Sequence, residues 1–212
     1  MNKYIVFDLD DTLFYEVDFL KSAYKEIAKK LVPDDNYISL YNEMLELYYK
    51  QKDVFGILAS KFHSSKEVLL TLYREHFPDI NLRDGVKDIL NKLKDENIKM
   101  GLLTDGRSVT QRNKIKALDI ENYFDKIIIS GEFGSEKPDK NNYNVFLEPG
   151  YEFFYIADNP KKDFVTPNLL GWKTIMIEDN EGKKIHAIPN ILQEKYNAEK
   201  TVSWQYFYAL IE

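Results

Sequence analysis

Four bulky apolar residues, Tyr4-Ile5-Val6-Phe7, stand near the start of the chain with charge on both sides. The run is too short for a typical helix and reads as a buried strand. The pattern then changes. Leu20, Ala23, Tyr24, Ile27, Ala28 and Leu31 recur at helical spacing, and Pro33-Asp34-Asp35 breaks that helix. Tyr37, Leu40, Tyr41, Met44, Leu47 and Tyr48 mark a second helix, and residues 53–63 a short third one. Ser64 with Glu67 reads as a capping box for a fourth, which carries Val68, Leu69, Leu72 and Tyr73 and ends before Pro78. Residues 15–81 are therefore expected to form a small all-helical unit rich in tyrosine.

An α/β pattern resumes beyond it. Asp84 is placed to cap a helix carrying Val86, Ile89, Leu90 and Leu93. Apolar runs at 99–104, 126–129, 153–157 and 173–177 read as four more strands, with a helix over 108–118. Between Lys137 and Tyr151 the helical signal is poor, because Asn141, Asn142, Asn144, Pro149 and Gly150 are loop formers. The segment from Pro189 to the end predicts two helical pieces. Short apolar strands separated by helices imply a parallel sheet covered on both faces. The expected fold is α/β, a Rossmann-like doubly wound sheet over 1–14 and 82–212, interrupted by the helical unit at 15–81.

Composition narrows the class. Hydrophobic residues make up 44% of the 212 and charged residues 30%, as in a packed globular protein. The net charge is -6, and with no long basic run a nucleic-acid surface is not expected. Cysteine is absent, which removes disulfides and thiolate chemistry. The first residues lack the pattern of a secretory signal and no stretch approaches transmembrane length. A cytoplasmic protein with no membrane partner is expected, as a monomer or homodimer.

The chemistry lies just after the strands. The first strand is followed by Asp8-Leu9-Asp10-Asp11-Thr12. Asp8 and Asp10, two apart on extended chain, point the same way. Two carboxylates this close repel unless a cation holds them, and a hard cation such as Mg²⁺ suits oxygen ligands. The strand at 99–104 ends in Thr104-Asp105-Gly106, the next is followed by Glu136-Lys137-Pro138, and that at 153–157 by Asp158 and then Asp163. Parallel strands bring such ends to one edge. Carboxylates faced by a hydroxyl and an ammonium suit a phosphoryl group. Alone, Thr104 could be a helix cap, Lys137 a solvated loop lysine, and Asp158 and Asp163 turn residues; the order and joint occurrence favour the functional reading.

With these four motifs the chain resembles the haloacid dehalogenase-like superfamily, over roughly 1–14 and 82–180, with the helical insert matching that family's helical cap. The resemblance implies a Mg²⁺-dependent phosphatase acting on a small phosphorylated metabolite, sugar phosphates and nucleotides among the candidates. It implies that Asp8 is the nucleophile that forms an aspartyl-phosphate, and that Asp10 is general acid and then base. Mg²⁺ would be held by the Asp8 side chain, the Asp10 carbonyl and Asp158, with Asp163 supporting the metal's waters or orienting Lys137. Thr104, Asp105, Gly106 and Lys137 would bind substrate. The fourth motif more often begins Gly-Asp, where this chain has Ala157-Asp158. Asp11 is expected in a solvated or turn role.

Other readings compete. Dehalogenases of the superfamily lack the second aspartate, so Asp10 argues against them. A phosphomutase shares Asp10 and stays open as the alternative. A receiver-like signalling module needs an acidic pair on the first strand and its phosphorylated aspartate on a later one. Here Asp105 would have to serve, directly after Thr104, and the helical insert would have no place.

Overall fold

The computed structural model describes residues 2–32, 36–179, 181–183 and 193–211. Strand β1 (Asn2–Phe7) is followed by four helices, α1 (Glu16–Leu31), α2 (Tyr37–Tyr49), α3 (Val54–Lys61) and α4 (Lys66–Arg74). Then come α5 (Val86–Asp95), β2 (Lys99–Thr104), α6 (Ser108–Ala117), β3 (Lys126–Ile129), α7 (Ser130–Phe133) and α8 (Asn141–Asn144). The chain continues with β4 (Tyr151–Ala157), α9 (Val165–Leu169), β5 (Lys173–Ile177), β6 (Lys200–Val202) and α10 (Trp204–Ile211).

All six strands are parallel, in the order β3-β2-β1-β4-β5-β6. From β1 the chain winds out through β2 and β3, returns to the far side of β1 at β4, and winds the other way. The reversal lies between β1 and β4, the place where an open α/β sheet leaves a crevice at its carboxyl edge. Side chains alternate across the sheet. Ile5 and Phe7 face a core with Val86, Leu90 and Leu93 of α5, Ile115 of α6 and Trp204 and Phe207 of α10. Tyr4 and Val6 face the other layer, with Tyr143, Phe146, Phe164 and Trp172. Both faces are covered, as the continuous apolar strands require.

The four-helix insert has an apolar cluster of its own, built on Leu20, Tyr24, Ile27, Leu40, Met44, Leu58 and Leu69. Tyr24 makes edge contacts with Tyr48, Phe55 and Tyr73, so the tyrosines largely serve packing, although Tyr49 is exposed. Phe14, Phe19 and Ile80 join the main core, which seats the insert on the α/β layer.

Several boundaries differ from expectation. The cap of α4 is Ser65, not Ser64, because its hydroxyl is the one that accepts from Val68 N at 3.1 Å. Asp84 does not cap α5; Gly85 occupies that position with φ 81° and no side-chain bond. Among the described residues of the C-terminal segment the two helical pieces are a 3-10 turn at Glu194–Tyr196 and α10, and the unexpected feature is the edge strand β6 between them. Strand β6 has a single apolar residue, Val202, and shows no periodicity to read. The breaker Pro33-Asp34-Asp35 and Pro189 lie outside the described residues.

Candidate active site

The loop after β1 is tightly wound. Asp8 N still donates to Ile156 O of β4 at 2.8 Å, and Leu13 N donates to Leu9 O at 3.0 Å. Asp11 turns the chain with φ 53°, a left-handed conformation that aspartate tolerates better than bulkier residues. Its carboxylate accepts from Glu16 N at 2.9 Å, at the start of α1. Asp11 is buried and structural, not solvated. Two contacts from distant parts of the chain clamp this loop: Arg83 Nη1 donates to Asp11 O at 3.0 Å and Trp204 Nε1 to Thr12 O at 3.1 Å.

Asp8, Asp158 and Asp163 are all buried, and one carboxylate oxygen from each lies within 4.8 Å of the others. Asp8 and Asp158 converge because β1 and β4 are neighbours at the reversal point and both end in aspartate. Thr12 Oγ1 makes a long contact of 3.5 Å to Asp158 Oδ1. Asp163 is held by Asn159 N, which donates to Oδ2 at 3.0 Å. The carboxylate of Asp10, expected to point the same way as that of Asp8, is turned toward α6 instead, where Lys114 and Gln111 hold it at 2.6 and 2.8 Å. Asp163 is the third carboxylate of the trio.

Lys137 lies 2.8 Å from Asp8 Oδ1 and 2.8 Å from Asp163 Oδ1, with its side chain 0% exposed. These contacts are ionic rather than well-directed hydrogen bonds. Burial works against the Lys137 ammonium, but Asp163, Asp8 and Asp105 together hold it protonated, its pKa well above the usual lysine value. For Asp8 burial dominates: it pushes the pKa up from 3.8 to about 7 against the pull of Lys137. Lys162 also lowers it, while Asp163 raises it. Asp10 is paired with Lys114 and Asp105 with Lys162, the latter at 3.1 Å, and Lys137 lies between Asp8 and Asp163. A buried cluster of carboxylate oxygens of this kind fits a hard divalent cation.

Thr104 closes the edge from β2 and is buried. Asp105 does not face the crevice freely: Oδ1 accepts from Lys137 N at 3.0 Å and Oδ2 from Lys162. Gly106 N donates to Ser130 Oγ at 2.9 Å, and Gly131 N to Gly106 O at 3.0 Å. A Cβ at Gly131 would lie 2.6 Å from that same carbonyl oxygen, so only glycine lets the loops after β2 and β3 pack this closely. A cleft lined by Gly106, Arg107, Ser130, Gly131 and Glu136 opens beside them.

The structure thus brings Asp8, Thr104, Lys137, Asp158 and Asp163 to one edge and gives Asp105 and Gly106 supporting positions. Sequence reasoning missed Gln111, Lys114, Lys162, Arg83 and Trp204. A signal existed for the first two: they share the inward stripe of α6 with Ile115, where apolar residues are expected.

The sequence profile of the haloacid dehalogenase-like hydrolases matches residues 5–184. A glyceraldehyde 3-phosphate phosphatase of Methanocaldococcus jannaschii is 28% identical over 206 residues, covering 84% of this chain and 85% of that protein. A protein of the same name from Methanopyrus kandleri is 26% identical over 219 residues, covering 90% and 92%. Among solved structures, a HAD-hydrolase from Bacillus subtilis with bound magnesium superposes with a TM-score of 0.68 at 18% identity, covering 100% of this chain and 99% of that one. Among the described residues, no helix is long and apolar enough to cross a membrane.

Proposed function

The chain belongs to the haloacid dehalogenase-like hydrolases, and from that premise we propose that it is a phosphatase of a small phosphorylated metabolite working through an aspartyl-phosphate on Asp8. The observation that carries the reading is the Asp8–Lys137–Asp163 arrangement, in which a buried carboxylate is held 2.8 Å from a buried ammonium. Asp8 attacks phosphorus and the alcohol leaves, taking a proton from Asp10. Water then attacks the phosphoryl group as Asp10 removes its proton, and phosphate is released. Lys137 and the Thr104 hydroxyl bind the phosphoryl oxygens, and Lys137 offsets the charge that gathers on them. Ser130 fixes the Gly106 amide and Lys162 fixes Asp105, which in turn anchors the Lys137 backbone.

The proposed metal is Mg²⁺, held by Asp8 and Asp158 with Asp163 adjoining. The Asp10 contact would have to be its backbone carbonyl, since its carboxylate is engaged with α6. When bound, the ion supplies charge neutralisation at the phosphoryl oxygens. Residues 15–81 are proposed as a cap that closes over the edge, with joints near 14–16 and 79–81. Its separate apolar cluster supports this reading. The proposal includes a cytoplasmic monomer or homodimer with no nucleic-acid or membrane partner.

The named relatives make a three-carbon sugar phosphate such as glyceraldehyde 3-phosphate the first substrate to try. Hydrolysis of an aryl phosphate and of a panel of phosphorylated metabolites, with Mg²⁺ and then with excess chelator, tests the proposal. Metal-dependent release of phosphate is expected. No release from any monoester, or full activity in chelator, contradicts it.

A further inference from the structure

Gln111 and Lys114 are buried polar residues on a helix stripe that otherwise carries apolar side chains. A buried amide and a buried ammonium cost stability unless they are satisfied, and each is satisfied at the reacting groups. Lys114 Nζ donates to Asp10 Oδ1 at 2.6 Å. Gln111 Nε2 donates to Asp10 Oδ2 at 2.8 Å and to Thr104 Oγ1 at 2.6 Å. Asp10 Oδ2 accepts from the amide nitrogen, so it is the nitrogen end of the amide that faces the carboxyl group. An amide nitrogen has two hydrogens, and both are used. Thr104 is therefore an acceptor toward Gln111, and its own hydroxyl hydrogen is left to donate elsewhere. Three residues apart on α6, the two side chains share one face. The Lys114 ammonium also lies 4.6 Å from the ring centre of Phe19 and 5.6 Å from that of Phe14. Phe19 belongs to α1, so the group that fixes Asp10 rests on the insert.

The geometry points to Gln111 and Lys114 as positioning residues for the reaction. Gln111 ties the carboxylate that moves the proton to the hydroxyl that meets the phosphoryl group, and turns that hydroxyl outward. Lys114 fixes the same carboxylate against the root of the insert. This inference rests on the phosphatase reading for its kinetic consequence but not for its geometry.

The test uses Lys114→Met, Lys114→Arg and Gln111→Met in the full-length chain, assayed on phosphate monoesters with leaving groups from nitrophenol to a simple alcohol. Crystal structures of each accompany the kinetics. A misplacement of about 1 Å can cost about 10²-fold in rate. Lys114→Met is expected to lower kcat by about 10–10²-fold on the alkyl ester and less on the nitrophenyl ester, which needs little help from an acid. Lys114→Arg should recover part of the loss. Gln111→Met should also weaken inhibition by inorganic phosphate, because the Thr104 hydroxyl is no longer aimed. Equal losses across all leaving groups would overturn the inference. So would crystal structures in which Asp10 and Thr104 keep their positions in Lys114→Met and Gln111→Met. If Lys114→Met fails to fold, Lys114→Arg and Gln111→Met carry the test. A wild-type protein inactive on every monoester sinks the phosphatase reading instead, and the crystallographic comparison still decides the geometry.

Discussion

The Lys137 ammonium lies 2.8 Å from Asp8 Oδ1 with no exposed surface of its own. Removing one partner of a buried pair leaves the other charge uncompensated, which typically costs about 3–5 kcal/mol. Lys137→Met should therefore lower stability by about that much in the presence of chelator, and abolish turnover. Urea denaturation of the two proteins checks the first effect. An unchanged midpoint would mean that Asp8 and Asp163 find compensation elsewhere.

Asp8 ties stability to pH in the metal-free protein. Its folded pKa of about 7 stands above the ordinary 3.8 because burial disfavours the charge. A raised folded value gives a contribution present below about pH 4 and lost as pH rises to about 7. Chelator-treated protein should lose stability across that window, and the slope should flatten in Asp8→Asn. Excess Mg²⁺ should restore stability at pH 8, by roughly 2.7 kcal/mol at a hundred times its dissociation constant. Thermal unfolding at pH 5 and pH 8 measures this. The same slope in both proteins would remove Asp8 as its source.

Trp204 reaches from the last helix to the loop that carries both aspartates, donating to Thr12 O at 3.1 Å. Trp204→Phe keeps much of the contact with Phe7 and Phe207 and loses the hydrogen bond. The expected cost is about 1 kcal/mol from the bond alone, with a drop in kcat as the loop slackens. Denaturation and steady-state assays report the two. No change in either would make the clamp incidental.

The insert is seated partly by hydrogen bonds from α6 to the end of α4. Thr110 Oγ1 donates to Arg74 O at 2.7 Å, and Asn113 Nδ2 to Glu75 O and His76 O at 3.1 and 3.2 Å. Thr110→Ala with Asn113→Ala should free this joint. Solution scattering with and without a phosphate mimic should then show a larger change in radius of gyration than in the wild type. An identical change would place the pivot elsewhere.

Strands β2, β3 and β5 were legible because each is an apolar run closed by charge or turn residues. Asp8, Thr104, Lys137 and Asp158 were legible for a related reason: each ends or comes after a strand that points at one edge. Other features left no such trace. Strand β6 gains its place by pairing along β5, Lys200 to Val202 beside Ile175 to Ile177. Arg83 and Trp204 act on backbone carbonyls, which carry no side-chain signature. The side-chain direction of Asp10 could not be read, because it is decided by Gln111 and Lys114 of α6, a hundred residues away in the chain. Gln111 and Lys114 were readable in principle, as polar residues on an apolar stripe.

The central claim is that phosphorus becomes bonded to Asp8. Acid quenching during turnover of an aryl phosphate, followed by borohydride reduction, converts an aspartyl-phosphate to homoserine that peptide mass spectrometry can place. The account predicts substrate-dependent homoserine at position 8, absent in Asp8→Asn, which should also show no turnover. Homoserine at another aspartate, or wild-type turnover by Asp8→Asn, would contradict it.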